Sequence, residues 1–565
     1  MAAPMRLLLV ALWNCLAAAV WPFRALLKLL LGRAAPPWVE VRLHGPLTDF
    51  VPPRPFWARR LRPAQRSLAS LGEVCDLAKR SPGCRGIVLH VEHLGGSAAQ
   101  LSALADLIAD VRKGGKEVAV WSEGLDGRSY AALCGASRIH LPPGGSLDLS
   151  GSAVELRAAG AALARLGVRP EFVRREDHKT APELFTRTEP SRPQRETAET
   201  LLDASFGSLV AGLARRGLDP ARAHRAVDAG PYLGKGAFEA GLIDRPLFWD
   251  QLVAELAPGK AGSAHEPRLA GEARLRSSGR KAKAGLRPFR RARAIAIVPV
   301  RGLIRSGRSG SLPGTGRLCG SDSVSLALER ARRDERFGAV LLYVDSRGGS
   351  AAASEILWRE IRRTAERKPV LAYVDGVAAS GGYYAACGAR RLLTAPLAIV
   401  GSIGVFFGRF DVSEGLGRLG VYGELLTRGA HAGLAWPTRP LSAPEREAAE
   451  GMVEAIYQDF LAVVAEARRQ TVEQIKPLAG GRIYTGQAAV EAGLCDGTSS
   501  FEAALREAGQ LAGLPKEKRP LAVVLEETAR GPAALASWRQ SLETLARPQA
   551  YALHLGPGWA EDTVD

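Results

Sequence analysis

The chain has 565 residues, 46% of them apolar and 24% charged, with a formal net charge of +18. That is ordinary for a globular protein long enough to bury a large core, at about one domain per 150 residues as a first guess. Its seven cysteines, an odd number with no C-x-x-C pair, suggest neither a disulfide framework nor a zinc site.

Residues 7–23, LLLVALWNCLAAAVWPF, carry no charge and one amide, Asn14. Such a length is at the lower limit for a spanning helix. Bulky and basic residues follow Pro22, with no small-residue cleavage site, so residues 1–33 are expected to form an uncleaved membrane anchor. An interfacial helix with Arg24, Lys28 and Arg33 on its polar face is the other reading. More basic residues follow the segment than precede it, which leans against export of the body.

Next comes a repeat. Gly95-Gly96-Ser97-Ala98-Ala99 returns as Gly348-Gly349-Ser350-Ala351-Ala352, at an offset of 253 (348 − 95). Cys134-Gly135-Ala136 returns as Cys387-Gly388-Ala389 at the same offset, and Ala240-Gly241-Leu242 as Ala492-Gly493-Leu494 at 252 (492 − 240). Three matches in order at nearly one spacing divide the chain into two copies of one unit, 38–258 and 294–511. A linker, 259–293, joins them. An extension, 512–565, follows, with a strand expected at 520–525 and a helix at 533–545. Between Arg274 and Arg293 the linker holds nine Lys or Arg and no acidic residue. With Phe289 as its only aromatic it lacks a nucleic-acid signature and reads as a solvated basic stretch.

In the second copy, Ala294–Val300, Ala339–Val344 and Val370–Val374 read as short apolar strands, and Ser354–Ala365 as an amphipathic helix. The fold class is α/β, with largely parallel sheets covered by helices. Loops after strand ends should carry the site in such a fold. Asp375–Tyr384 lies in such a place, and Ser380 within it stands before a short run of small residues. A serine at a helix N-terminus has unpaired N–H groups beside it, as acyl transfer requires for an oxyanion. The Gly348-Gly349 loop offers a second donor. Equally, the segment reads as a glycine-rich turn packing helix on strand.

The copies differ where chemistry is expected. Ser380 corresponds to Gly127 (380 − 253), and Lys179 in Arg174–Ser191 corresponds to Ala432 (179 + 253). One copy lacks the serine and the other lacks the lysine, as expected of a single composite site. A buried lysine kept neutral can serve as base for a serine. Taken alone, Lys179 reads as a surface lysine.

These residues closely resemble the signal peptide peptidase A (protease IV) family in its long, two-repeat form. Ala378-Ala-Ser-Gly-Gly-Tyr383, Gly401-Ser-Ile-Gly-Val405, Gly481-Arg-Ile-Tyr-Thr-Gly-Gln487 and His178-Lys-Thr-Ala-Pro-Glu-Leu-Phe185 carry the likeness, which covers residues 38–511. It implies a Clp/crotonase-like fold in each repeat, Ser380 as nucleophile and Lys179 as base. Ser402 would orient the lysine, and Gly381, with the Gly348-Gly349 loop, would hold the oxyanion. It also implies a serine endopeptidase that degrades cleaved signal peptides and similar apolar peptides, without metal or other cofactor. Such a protein would be a homo-oligomer, expected as a tetramer. It would sit in the bacterial inner membrane through its N-terminal segment, with a periplasmic body.

Two departures stand out: Ser346-Arg-Gly-Gly349 has arginine where the family has proline, and His178 replaces a tyrosine. Three rival readings remain. One is a Ser380–His431 peptidase. Another is a crotonase-like binder of acyl thioesters. The third is a degenerate scaffold, which Arg347 in the glycine loop favours.

Overall fold

The computed structural model describes residues 11–23, 34–50, 67–257, 269–278, 293–312, 316–516, 519–526 and 549–553. Residues 11–23 are helical. The rest of the expected anchor, most of the basic linker and the helix expected over 533–545 lie outside the described residues. Among those described, no helix is long and apolar enough to cross a membrane.

Two compact units form, and their boundaries cut across the repeat. One joins the residues up to 152 to 205–292, and the other joins 153–204 to 293 onward. The expected first repeat, 38–258, is therefore divided, and its lysine-bearing stretch packs with the second copy.

In the first unit a six-stranded sheet runs in the order Ala270–Gly271, Trp38–Pro46, Gly86–Gly95, Glu117–Ser122, Arg138–Leu141, Arg245–Pro246. Every pairing is parallel. The composition explains this. Gly86–Gly95 opens with six consecutive buried residues, which suits a strand covered on both faces. Helix Ala98–Lys113 starts at a capping box in which Ser97 and Gln100 satisfy each other's backbone N–H. Its buried residues, Leu101, Leu104, Ile108 and Val111, recur at helical spacing and join the core with Ile87 and Leu89.

In the second unit the sheet runs Ile483–Thr485, Ile399–Gly401, Val370–Ala379, Phe337–Ser346, Ala294–Arg301, Leu521–Val524. It is parallel apart from Ile483–Thr485, which pairs antiparallel to Ile399–Gly401. The strands expected at 294–300, 339–344 and 370–374 are all present, each reaching as far or farther. The helix expected at 354–365 starts earlier, at Ala351, because the Ser350 side chain caps it through the Ala353 N–H.

The repeat holds at the level of single bonds. Tyr130 Oη donates to the Leu242 carbonyl, and Tyr383 Oη donates to the Leu494 carbonyl. Ile139 N–H donates to Asp244, and Leu392 N–H to Asp496. Each pair sits at the offset of the sequence repeat, so both copies close the same strand ends in the same way.

Candidate active site

Three local structures build the site within the second unit. The first is the turn between strand Val370–Ala379 and helix Gly381–Ala386, where Ser380 adopts φ 54° and ψ −119°. That is costly for a residue with a Cβ and recurs where structure serves function. The turn is held from behind, because Ser380 N–H donates to the Gly401 carbonyl at 2.8 Å. Ser380 is fully buried.

The second is the lysine turn. Strand Arg169–Arg174 pairs antiparallel with Phe406–Asp411, setting Phe172 opposite Gly408 and Glu171 opposite Arg409. A Cβ at Gly408 would overlap the Phe172 ring, so glycine there is what lets the two strands meet. Phe172 stacks on Phe185 and touches Phe406 and Phe410, while Arg409 and Glu171 form a buried ion pair at 2.6 Å. Past this strand, Arg174 Nη1 donates to the Lys179 carbonyl at 3.1 Å and to the buried Glu183 carboxylate at 2.8 Å. Sequence reading gave Arg174 and Glu183 no role, although Glu183 lies in the motif that carries the lysine.

The third is the pair of glycine motifs at 401–404 and 481–482. Ser402, at φ 51°, donates its N–H to the Arg482 carbonyl, and Gly481 donates its own to the Ile403 carbonyl. A Cβ at Gly481 would overlap the Lys179 backbone nitrogen, and one at Gly404 would stand 3.3 Å from Lys179 Cδ. The two motifs therefore form a close-fitting sleeve around the lysine.

Together these bring Lys179 Nζ to 2.7 Å from Ser380 Oγ, 3.1 Å from Ser402 Oγ and 3.0 Å from the Ser402 carbonyl. Ser380 Oγ also lies 3.3 Å from the Gly404 carbonyl. Only 1% of Lys179 is exposed, and burial pushes its amine well below the ordinary lysine value. A neutral amine has two N–H donors and one lone pair. As placed, Nζ donates to the Ser380 hydroxyl and to both Ser402 oxygens, and in the neutral form the lone pair would be left for the Ser380 proton.

The remaining residues singled out by sequence fall as follows. Gly381 opens the helix behind Ser380, so its amide is one of the first-turn donors without a helical partner. Gly348 N–H already donates to Ser346 Oγ at 3.1 Å, which leaves Gly349 as the candidate donor of that loop. His431 is exposed in a turn, and among the described residues the Ser380 hydroxyl oxygen lies within hydrogen-bond distance of Lys179 Nζ and the Gly404 carbonyl. His178 Nε2 stands 3.7 Å from Glu196 on the outer side of the lysine turn. Among the described residues no cluster of His, Cys, Asp or Glu is arranged to hold a metal ion.

The model of Peptidase family S49 matches residues 110–262 and 362–515, two stretches at the offset of the repeat. "Serine protease SPPA, chloroplastic" of Arabidopsis thaliana is 29% identical over 472 residues, covering 82% of this chain and 68% of that protein. "Protease 4" of Salmonella typhi is 28% identical over 466 residues, covering 81% and 74%. A solved structure of a ClpP1 point mutant from Listeria monocytogenes aligns at a TM-score of 0.25 and 14% identity, over 37% of this chain and 93% of that one. With two family matches spanning more than half its length, one in each copy of the repeat, the chain belongs to peptidase family S49, a family of serine peptidases.

Proposed function

We propose that the chain is an endopeptidase working through a Ser380–Lys179 dyad. The observation that carries this reading is the 2.7 Å contact between Nζ and Oγ inside a buried site. Neutral Lys179 takes the Ser380 proton as Oγ attacks the peptide carbonyl. The oxyanion is met by the amides of Gly381 and Gly349. Ser402 holds the lysine through its hydroxyl and carbonyl, so the amine faces Ser380 throughout. The lysinium then protonates the leaving amine, the acyl group stays on Ser380, and water activated by the same amine releases it.

The substrates are extended apolar peptides, with remnants of cleaved signal peptides as the leading class. Membrane attachment through the N-terminal segment and assembly into a homo-oligomer, with four subunits expected, belong to the same proposal. Exposed Leu12, Leu16 and Phe23 on the helix at 11–23 support the attachment. A bacterial inner-membrane setting with a periplasmic body belongs to the same proposal, the relatives named Protease 4 being bacterial.

The test is intact-mass analysis after a fluorophosphonate probe. One adduct on the wild type, lost in Ser380→Ala and in Lys179→Ala, is the expected result. An adduct that persists without Lys179 moves the base elsewhere and overturns the dyad.

A further inference from the structure

Tyr484 belongs to the Gly481–Gln487 motif but touches neither member of the dyad by a hydrogen bond. Its ring and its hydroxyl act on different neighbours. In strand Ile483–Thr485 it stands in register with Val400, and a Cβ on the next residue, Gly401, would lie 3.1 Å from its Cδ2. The ring therefore backs the residue whose carbonyl receives the Ser380 N–H. The hydroxyl donates to the Leu478 carbonyl at 2.9 Å, which closes residues 478–484 into a loop. Inside that loop Gly480 and Gly481 both adopt left-handed φ, 71° and 83°, and a glycine pair leaves the backbone at its loosest. Yet the loop holds two edges of the site. The Arg482 carbonyl accepts the Ser402 N–H at 2.6 Å. Gly481 donates to the Ile403 carbonyl at 2.9 Å and packs directly on the Lys179 backbone.

The first copy makes the same bond. Tyr232 stands at the repeat offset of 252 (484 − 232), and its Oη donates to the Ala226 carbonyl at 2.7 Å, again six residues back (232 − 226). Closing the loop is thus part of the fold in both copies. In the second copy alone does that loop carry a glycine packed on the buried lysine.

We propose that Tyr484 is a positioning residue for the dyad. By closing the 478–484 loop it holds Ser402 and Gly481 against Lys179, sets the distance from Nζ to Ser380 Oγ, and keeps water out of the sleeve. The inference rests on the peptidase reading above. Nζ donates to both Ser402 oxygens, so play in Ser402 passes straight to the amine. Burial is what holds that amine below the ordinary lysine value, so water entering a loosened sleeve moves it back up. Tyr232 has the same bond and no dyad to position, which makes it the matched comparison.

The test compares Tyr484→Phe and Tyr232→Phe in the full chain. Each keeps its ring and loses one hydroxyl bond, so both should lower the urea midpoint by a similar amount. Fluorophosphonate acylation should slow about tenfold in Tyr484→Phe, part of the roughly 100-fold that a displacement of about 1 Å costs. It should keep the wild-type rate in Tyr232→Phe. The pH limb of acylation should move upward in Tyr484→Phe alone, a change that lost stability would not produce. By hydrogen exchange, the Ser402 and Gly481 amides should loosen in Tyr484→Phe alone. A wild-type rate and limb in Tyr484→Phe overturn the proposal, and so does equal slowing of both variants. Free exchange of the Ser402 and Gly481 amides in the wild type overturns it whatever the variants do. No acylation of any form, with those amides loosened in Tyr484→Phe alone, refutes the peptidase reading and leaves the hold on Ser402 standing.

Discussion

Gly481→Ala tests whether the sleeve around Lys179 sets the dyad distance. Gly481 sits at φ +83°, where an added Cβ costs about 1–2 kcal/mol. That Cβ would also lie 2.7 Å from Lys179 Cα, against the 3.4 Å at which ordinary contact begins. The Cβ would stand nearer still to the Lys179 backbone nitrogen, so the lysine turn must retreat by at least about 0.7 Å (3.4 − 2.7), and overpacking of this kind adds about 1–3 kcal/mol. Misplacement of a catalytic group by about 1 Å costs about 100-fold in rate. Gly404→Ala is the control, since its Cβ would stand 3.3 Å from Lys179 Cδ and need give only about 0.1 Å (3.4 − 3.3). Acylation of Ser380 by a fluorophosphonate, followed by stopped-flow, should fall about 100-fold in Gly481→Ala and less than about tenfold in Gly404→Ala. Urea unfolding should show Gly481→Ala less stable by about 2–5 kcal/mol. Unchanged acylation in Gly481→Ala, or a larger loss in Gly404→Ala, refutes the reasoning.

Further outcomes follow from the same contacts. The proposed dyad needs Lys179 neutral, so kcat/KM should rise with pH through the amine's folded pKa and level off above it, with the limb well below 10.5. A limb at or above that value contradicts the assignment. Lys179→Met should lower kcat about 10²- to 10⁴-fold. Its effect on stability has a definite sign. The folded pKa is depressed, so between it and 10.5 the unfolded chain binds the proton more readily, and the lysine costs stability that returns as pH rises. Urea midpoints should accordingly favour Lys179→Met more at pH 7 than at pH 10, and a gap independent of pH would contradict the depressed pKa. Glu183→Ala strips Arg174 of its carboxylate and should cost about 2–3 kcal/mol. It should also slow acylation, because Arg174 holds the Lys179 carbonyl. Tyr130→Phe and Tyr383→Phe each remove the same buried bond from one copy and should each cost about 1 kcal/mol by urea unfolding.

Much of the fold was legible in the sequence because its signals are local. Apolar runs such as Ala294–Val300 are short and bounded, and in a parallel sheet they need no partner to be recognised. The repeat was legible because matched motifs keep their spacing. What stayed hidden was pairing across distance. Nothing within 169–174 announces that it pairs with 406–411, since Phe172 meets Gly408 only once both have folded. For the same reason the sequence put the lysine stretch with its neighbours in the chain. The availability of Gly348 was equally out of reach, because a serine two residues away takes its N–H.

That long-range pairing also accounts for the single site, shared by two copies, that the proposed dyad requires. Strand Arg169–Arg174 corresponds by the repeat to residues 422–427 of the second copy (169 + 253), which form no strand and are largely exposed. The second copy thus has no hairpin of its own against Phe406–Asp411, and the segment from the first copy lies there instead. With the edge at 406–411 covered by the segment carrying Lys179, a lysine at position 432 has no wall to be buried against. Burial is what depresses the amine, so a lysine in that exposed turn would remain charged and could not act as base. The serine obeys the converse condition. Ser380 owes its reach to a turn buttressed by Gly401 and faced by the lysine, whereas the corresponding junction in the first unit is Asp126-Gly127, where Asp126 caps the next helix through the Ser129 N–H. On the proposed dyad, each copy supplies the half of the chemistry that its surroundings can sustain, and the two halves meet where strand 169–174 pairs with 406–411.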